Sequence, residues 1–493
     1  MTRDTAPTNL SRRSFGVMAG SLAAAASPIT ALSKAAAERP LGQSHFGRAK
    51  RVMLLYLYGA AAQHETWDPK PDAPAEIRGK FNPTSTSVPG LQICEHLPRV
   101  AKIADKLTLV RSMSHPYNIH SAAYTMSGID KVDIPMELNP FDARHWPSFG
   151  SVLDYLATKE QPTAPPPAIP RNICLPFRFS SRAGEFTRGG PYGGFLGRGY
   201  DPVCTEFAGK ITGKVGRWRG NAMQDVDEPY LGIDPAGRFV VSQAKGDTAM
   251  SLDQLSSRWS LLAKLQHEQL DYQTAAAPRG HDRFREMAYS LLTSDRIKAA
   301  LDIGQEKESL REQYGYTLFG QATLAGRRLL EAGAKLVTVL WDEIKTANSA
   351  WDTHFHHYER LQDELLPGLD RALSALIADL DERGMLDDTL VLCITEHGRT
   401  PRVHDKGANG AGREHWSDVY SNAFAGAGIR RGSVVGSSDK HGSFVQENPI
   451  SPKDILCTIY HLLGIDAHTM IPDRLGRPLP LVTGGRVVHE MLS

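Results

Sequence analysis

Four short runs of almost uninterrupted apolar residues limit what this chain can fold into: residues 51–58 (RVMLLYLY), 107–110 (LTLV), 336–341 (LVTVLW) and 389–395 (TLVLCIT). A strand with one wet face alternates apolar and polar side chains. Runs without that alternation belong to strands buried on both faces. Between the last two runs, Leu361, Leu365, Leu369, Leu373, Leu376 and Leu380 recur at helical spacing, and the stripe closes at Gly384, a residue suited to a helix end. Strand, helix and strand in that order predict an α/β fold with a mostly parallel central sheet flanked by helices.

The middle of the chain reads differently. Residues 162–237 are rich in Gly, Pro and Arg around Gly189-Gly190-Pro191-Tyr192-Gly193-Gly194, which predicts an irregular segment. From about residue 251 to 334 the pattern turns helical, with long polar faces. The first residues are expected to lie outside the fold. Ser11-Arg12-Arg13-Ser14-Phe15 carries the twin arginine of a Tat-type export signal, an alanine-rich stretch follows over 16–32, and Ala35-Ala36-Ala37 offers a small-residue cleavage site. The expected organisation is a signal peptide over 1–37 and one α/β domain over 38–493, with an irregular and helical insertion at about 130–334 able to roof a site. Export would be through the Tat machinery to the periplasm or cell envelope, with any metal acquired before transit.

Lys plus Arg number 56 against 55 Asp plus Glu, and no dense basic stretch appears, so neither balance nor patterning suggests a nucleic-acid binder. No segment approaches the twenty or so apolar residues of a membrane span. The five cysteines are widely spaced with no C-x-x-C pair, which argues against a disulfide framework or zinc knuckle. A bond between Cys174 and Cys204 is the one pairing an oxidising compartment would allow.

Chemistry concentrates in three clusters: Trp351-Asp352-Thr353-His354-Phe355-His356-His357, Thr395-Glu396-His397-Gly398 and Arg413-Glu414-His415-Trp416. Imidazole nitrogen and carboxylate oxygen are the ligands that zinc, manganese and similar ions accept in hydrolytic sites. Glu396-His397 follows a buried strand directly, at the carboxyl end where ligands bind in parallel sheets. Residues two apart in an extended loop point the same way, so Asp352 can converge with His354 and His356. His415 follows the glycine-rich 408–412 loop, where a histidine has no packing purpose.

The run from Glu65 to Gly79 (ETWDPKPDAPAEIRG), Trp351-Asp352-Thr353-His354, Gly398-Arg399-Thr400-Pro401 and Asp473-Arg474-Leu475-Gly476-Arg477-Pro478 together resemble the signature of the bacterial family called domain of unknown function 1501. That family is grouped with the alkaline phosphatase and sulfatase superfamily. The resemblance implies an alkaline phosphatase/sulfatase-like fold and a site for divalent metal ions, whether zinc, calcium, magnesium or manganese. By position it implies metal ligands at Asp352, Glu396, His397 and His415, with either His354 or His356 as the loop histidine. The superfamily's first-strand acid has no direct counterpart, because Gly59-Ala60-Ala61-Ala62 occupies that turn, and Glu65 or Asp68 would have to serve from further along.

The nucleophile position is implied less clearly. Residues 111–128 (RSMSHPYNIHSAAYTMSG) resemble the strand-to-helix segment that carries it in the superfamily. Asn118 falls in the nucleophile slot, Ser121 is a nearby hydroxyl, and His120 could act as ligand or base. Ser121 could equally be an ordinary first-turn residue. Arg399 and Arg413 are candidates for gripping anionic oxygens. Cys174-Leu175-Pro176-Phe177-Arg178 matches the bare C-x-P-x-R core that sulfatases modify, but Leu175 and Phe177 replace small residues and no amphipathic helix follows, so it reads as a chance match. The expected function is metal-dependent hydrolysis of a phosphate or sulfate ester on a small molecule or glycan, through Ser121 or directly by water. The alternative is a non-catalytic cell-envelope protein that binds metal or another ligand on the same fold.

Overall fold

A computed structural model describes residues 45–184, 187–219, 222–241, 294–345 and 350–493. The expected export signal and residues 251–293 of the expected helical pattern lie outside the described residues. Nine strands form the main sheet: β1 (Arg51–Leu57), β2 (Leu107–Met113), β3 (Asn172–Leu175), β4 (Val203–Ala208), β5 (Arg238–Val241), β6 (Leu336–Trp341), β7 (Thr389–Ile394), β8 (Tyr420–Ala425) and β9 (Ser433–Val435). Their spatial order is β9-β2-β8-β7-β1-β6-β3-β4-β5. Pairings across β7-β1-β6-β3-β4 are parallel, as is β9-β2, whereas β8 runs antiparallel between β7 and β2 and β5 antiparallel at the edge. The mostly parallel, helix-flanked sheet read from the apolar runs is therefore the fold.

β1 shows why those runs do not alternate. Met53, Leu55 and Leu57 enter one core with the helices Leu318–Ala332 and Leu366–Glu382. Val52, Leu54 and Tyr56 enter a second core on the other face, with α1 (Ala122–Ser127), α2 (Phe149–Glu160) and α3 (Pro452–Leu462). Successive side chains point to opposite faces, and both faces are dry. Within the leucine stripe, Leu361–Leu365 winds as a π-turn just before Pro367. Proline lacks the amide proton and crowds the preceding turn, so the widened turn lets the helix continue through it.

The segment expected to be an irregular insertion departs from that expectation. It supplies β3, β4 and β5, one whole edge of the main sheet. Its apolar runs are only four to six residues long between Pro- and Gly-rich stretches, too short to separate from loop by periodicity. Cys174 and Cys204 are directly opposed in the β3–β4 register and are free thiols. Because Cys174 sits inside β3 with no exposure, the C-x-P-x-R match lies in the sheet core.

No helix among the described residues is long and apolar enough to cross a membrane. β1, β2, β6 and β7 all end at one edge of the sheet. Residues 58–62, 114–121, 350–357 and 395–399 therefore emerge side by side, with a short antiparallel pairing of Gly398–Arg399 to His415–Trp416 beside them.

Candidate metal centre

Gly59 sets the geometry of this edge. It has φ +106°, and a Cβ there would collide with the Asp352 backbone nitrogen. Only glycine lets the turn after β1 press against the 351–352 backbone, where the Trp351 amide donates to the Tyr58 carbonyl at 2.9 Å. The Gly59 amide in turn donates to the Glu396 carboxylate at 2.8 Å.

Asp352, His354 and His415 then converge. His354 Nε2 lies 3.0 Å from Asp352 Oδ1, His415 Nε2 lies 3.4 Å from the same oxygen, and the two imidazole nitrogens are 3.1 Å apart. Ligands held about 2.0–2.1 Å from a tetrahedral ion stand roughly 3.3 Å from one another, so this triangle has the dimensions of a cage face. The Glu414 carboxylate accepts from His354 Nδ1, which leaves the Nε2 lone pair directed into the triangle. An outer carboxylate fixing a ligand imidazole in this way is a recurrent feature of metal sites.

His120, His397 and His415 form an overlapping triad whose ligand atoms all lie within 4.8 Å of one another. His397 has no exposure, and its Nδ1 donates to the Gly398 carbonyl at 2.8 Å. A carbonyl can only accept, so Nδ1 carries the proton and Nε2 is a bare lone pair. That Nε2 is buried with no hydrogen-bond partner among the described residues. Burial first, then the neighbouring His120, His415 and Arg399 charges, hold His397 well below the ordinary histidine range. Burial above all lowers His415 to about 4. Both rings are therefore neutral, the form that binds a metal. His415 is common to both triads.

His120 differs. Its Nδ1 is 2.8 Å from Glu396 Oε1 and its Nε2 is 3.3 Å from Asp352 Oδ2. Burial opposes a charge there, but the two carboxylates outweigh it and push the imidazole up to about 10. Glu396 is committed to Gly59, His120 and the Thr395 hydroxyl, and stands behind the cage rather than in either triad. His115, not singled out from the sequence, donates from Nε2 to the Glu396 carbonyl at 2.7 Å and accepts the Tyr117 amide on Nδ1.

Several expected residues fall elsewhere. His356 adopts the left-handed conformation at the start of the 357–360 helix, with its ring beside Gly410, and belongs to neither triad. Its positive φ turns the chain, so the two-residue spacing that would aim it with His354 does not hold. Glu65 is buried in a pairing with Arg413 at 2.6 Å and lies 3.2 Å from His357. Asp68 pairs with Lys70 at 3.0 Å and accepts from Ser438. Neither acid reaches the cage.

Arg399 and Arg413 are fully buried braces, not anion grips. Arg399 spends its donors on the carbonyls of Gly59, Ala60 and Arg413 and on Asp352. Arg413 binds Glu65 and the carbonyls of Thr400, Pro401 and Ile77. Ser121 caps α1, its hydroxyl accepting the Tyr124 amide at 3.3 Å. Asn118 is exposed at the rim and donates to the His415 carbonyl at 3.2 Å.

No curated protein matches the chain. Among solved structures, Ps i-CgsB has a TM-score of 0.37 at 10% identity, covering 85% of this chain and 72% of its own. The PsFucS1 sulfatase from Pseudoalteromonas sp. has a TM-score of 0.35 at 13% identity, covering 85% and 68%. Similarity at this level says nothing about chemistry. The family match is extensive: residues 49–492 fit the family described as Protein of unknown function (DUF1501), and the chain belongs to it.

Proposed function

We propose that this protein is an exported hydrolase of phosphate or sulfate esters that depends on a single divalent cation. The observation that carries the reading is the Asp352–His354–His415 triangle, whose 3.0–3.4 Å edges match the spacing of ligands around a small ion. The buried lone pair of His397 Nε2 supplies the further ligand. An imidazole-rich set with one carboxylate suits zinc better than calcium or magnesium. A cation held there would polarise an ester oxygen and acidify water at neutral pH.

The chain's own residues do the rest. Glu414 orients His354, the Gly398 carbonyl orients His397, and Arg399 balances the Asp352 charge. His120 lies between the Asp352 and Glu396 carboxylates, with Nε2 3.3 Å from the first and Nδ1 2.8 Å from the second. Ser121 is occupied as a helix cap, which favours direct attack by water over a covalent intermediate. Export follows from Arg12-Arg13 and predicts retention in the cytoplasm when both are replaced by lysine.

The deciding experiment is elemental analysis of protein purified without chelator, together with assays on p-nitrophenyl phosphate and sulfate. One ion per chain and ester turnover, both lost in His397→Ala, support the reading. A second reading, a metal-holding binding protein without turnover, is favoured by the acid-free Gly59–Ala62 turn. Stoichiometric metal with no hydrolysis of either ester would select it.

A further inference from the structure

The segment leading into β1 stands at the opposite end of that strand from the candidate metal centre, and it carries one member of a second histidine group. His45 Nδ1 lies 2.9 Å from Nε2 of His461, in the last turn of α3. His489, on the short 489–491 turn, completes the group. The three ring centroids stand 5.1, 5.9 and 6.1 Å apart, and each pair is tilted or edge-on rather than stacked. Imidazole nitrogens held about 2.0–2.1 Å from a tetrahedral ion place their ring centroids on the order of 5 Å apart. His489 is exposed, so rotation of its side chain can bring all three rings to that spacing.

Backbone contacts hold these segments together without help from the rings. The Gly47 amide donates to the His461 carbonyl at 3.1 Å and the Ala49 amide to the Leu462 carbonyl at 2.8 Å. At the other side, the Arg430 amide donates to the Met491 carbonyl at 2.8 Å and the Ser493 amide to the Gly428 carbonyl at 3.0 Å. Gly428 has φ +92°, and a Cβ there would stand 3.2 Å from His45 Cβ, so this glycine lets its turn close on the histidine. Three separate stretches of chain thus each deliver one imidazole to a place that their backbones already fix.

The group has the chemistry of a nitrogen-donor site. Burial, then His489 and Arg48, lower His45, while burial, His45 and His489 lower His461 to about 4. Both rings are therefore neutral at pH 7, the form that ligates metal. The contact between them uses one proton and one lone pair, and an ion can take that proton's place. The negative end of the α3 dipole lies at His461 and favours a cation there. Arg48 adds positive charge, so binding would rest on nitrogen donation, which selects nickel, copper or zinc over calcium or magnesium.

We propose that His45, His461 and His489 form a second metal site, for a divalent transition ion such as nickel(II), copper(II) or zinc(II), that ties the segment entering β1 to α3 and to the 489–491 turn. This site is independent of the hydrolase reading and of the cage at the other end of β1.

The test is equilibrium dialysis of tag-free protein against nickel(II) and zinc(II), with thermal melts of the same samples. His489→Ala changes an exposed side chain and is expected to keep the metal-free melt of wild type. That variant should bind one ion per chain fewer, or hold it at least about tenfold more weakly, since losing a ligand costs no less than losing an outer partner. Nickel should raise the melting temperature of wild type more than that of His489→Ala. Folded His397→Ala, altered only at the cage, should keep this ion. Identical isotherms for wild type and His489→Ala would overturn the site, as would loss of the ion in folded His397→Ala.

Discussion

The Nδ1 of His120 stands 2.8 Å from the Glu396 carboxylate, so the acid that follows β7 is joined to the histidine that precedes α1 across the sheet edge. Glu396 is thereby engaged before it can reach the Asp352–His354–His415 triangle. The acid beside His397 thus stands outside the proposed cage, which the histidines and Asp352 would form.

Metal binding should follow that division. His397→Ala removes a ligand, whereas Glu414→Ala removes only the carboxylate that accepts from His354 Nδ1. The second change is expected to weaken zinc binding by roughly 10–100-fold, as outer partners do, and the first by more. Competitive titration against a chromophoric chelator gives both affinities, and equal losses would contradict the assignment.

Ser121→Ala should cost about 1 kcal/mol of stability, the usual value of a lost helix cap. Ester turnover by the folded variant should keep its wild-type kcat. A thermal melt and a steady-state assay on the same preparation settle the point, and loss of turnover with an unchanged melt would restore Ser121 as nucleophile.

Arg399→Ala leaves Asp352 charged and buried without its guanidinium partner. Breaking a buried pair from one side typically costs about 3–5 kcal/mol, and urea unfolding of the metal-free protein should show a loss of that order. A loss below about 1 kcal/mol would mean that Arg399 is not the brace its contacts indicate.

Stability should fall in acid through Glu65. Burial works against its charge, but Arg413 and then His357 outweigh it and hold the carboxyl well below its ordinary range. A folded-state pKa below the unfolded one gives stability that is fully present above the unfolded value of about 4.3 and lost as pH falls through the folded value. Glu65→Gln should therefore be less stable at pH 7 by about 3 kcal/mol and show a shallower loss below pH 4. Urea midpoints at pH 7, 5 and 3 measure both.

Gly59→Ala should fail to fold or lose on the order of 4 kcal/mol, because its Cβ would meet the Asp352 backbone in a left-handed conformation. Circular dichroism and a melt of the purified variant check this, and a wild-type melt would contradict the close approach.

The local signals in the chain determined the sheet, its burial on both faces, and the clustering of Asp352, His354, His397 and His415. Strand burial and residue chemistry are written in runs a few residues long. Three things were decided only by the fold. β3, β4 and β5 join the main sheet because neighbouring strands complete it, although each is too short to show a period. Arg399, Arg413 and Glu65 look like site residues in the motifs but serve as buried ties, because their partners are backbone carbonyls and side chains remote in sequence. His354 converges with Asp352 and His356 does not, because the backbone at His356 turns to φ +48°, a conformation imposed by packing against the Gly410 loop and not legible in a histidine-rich run.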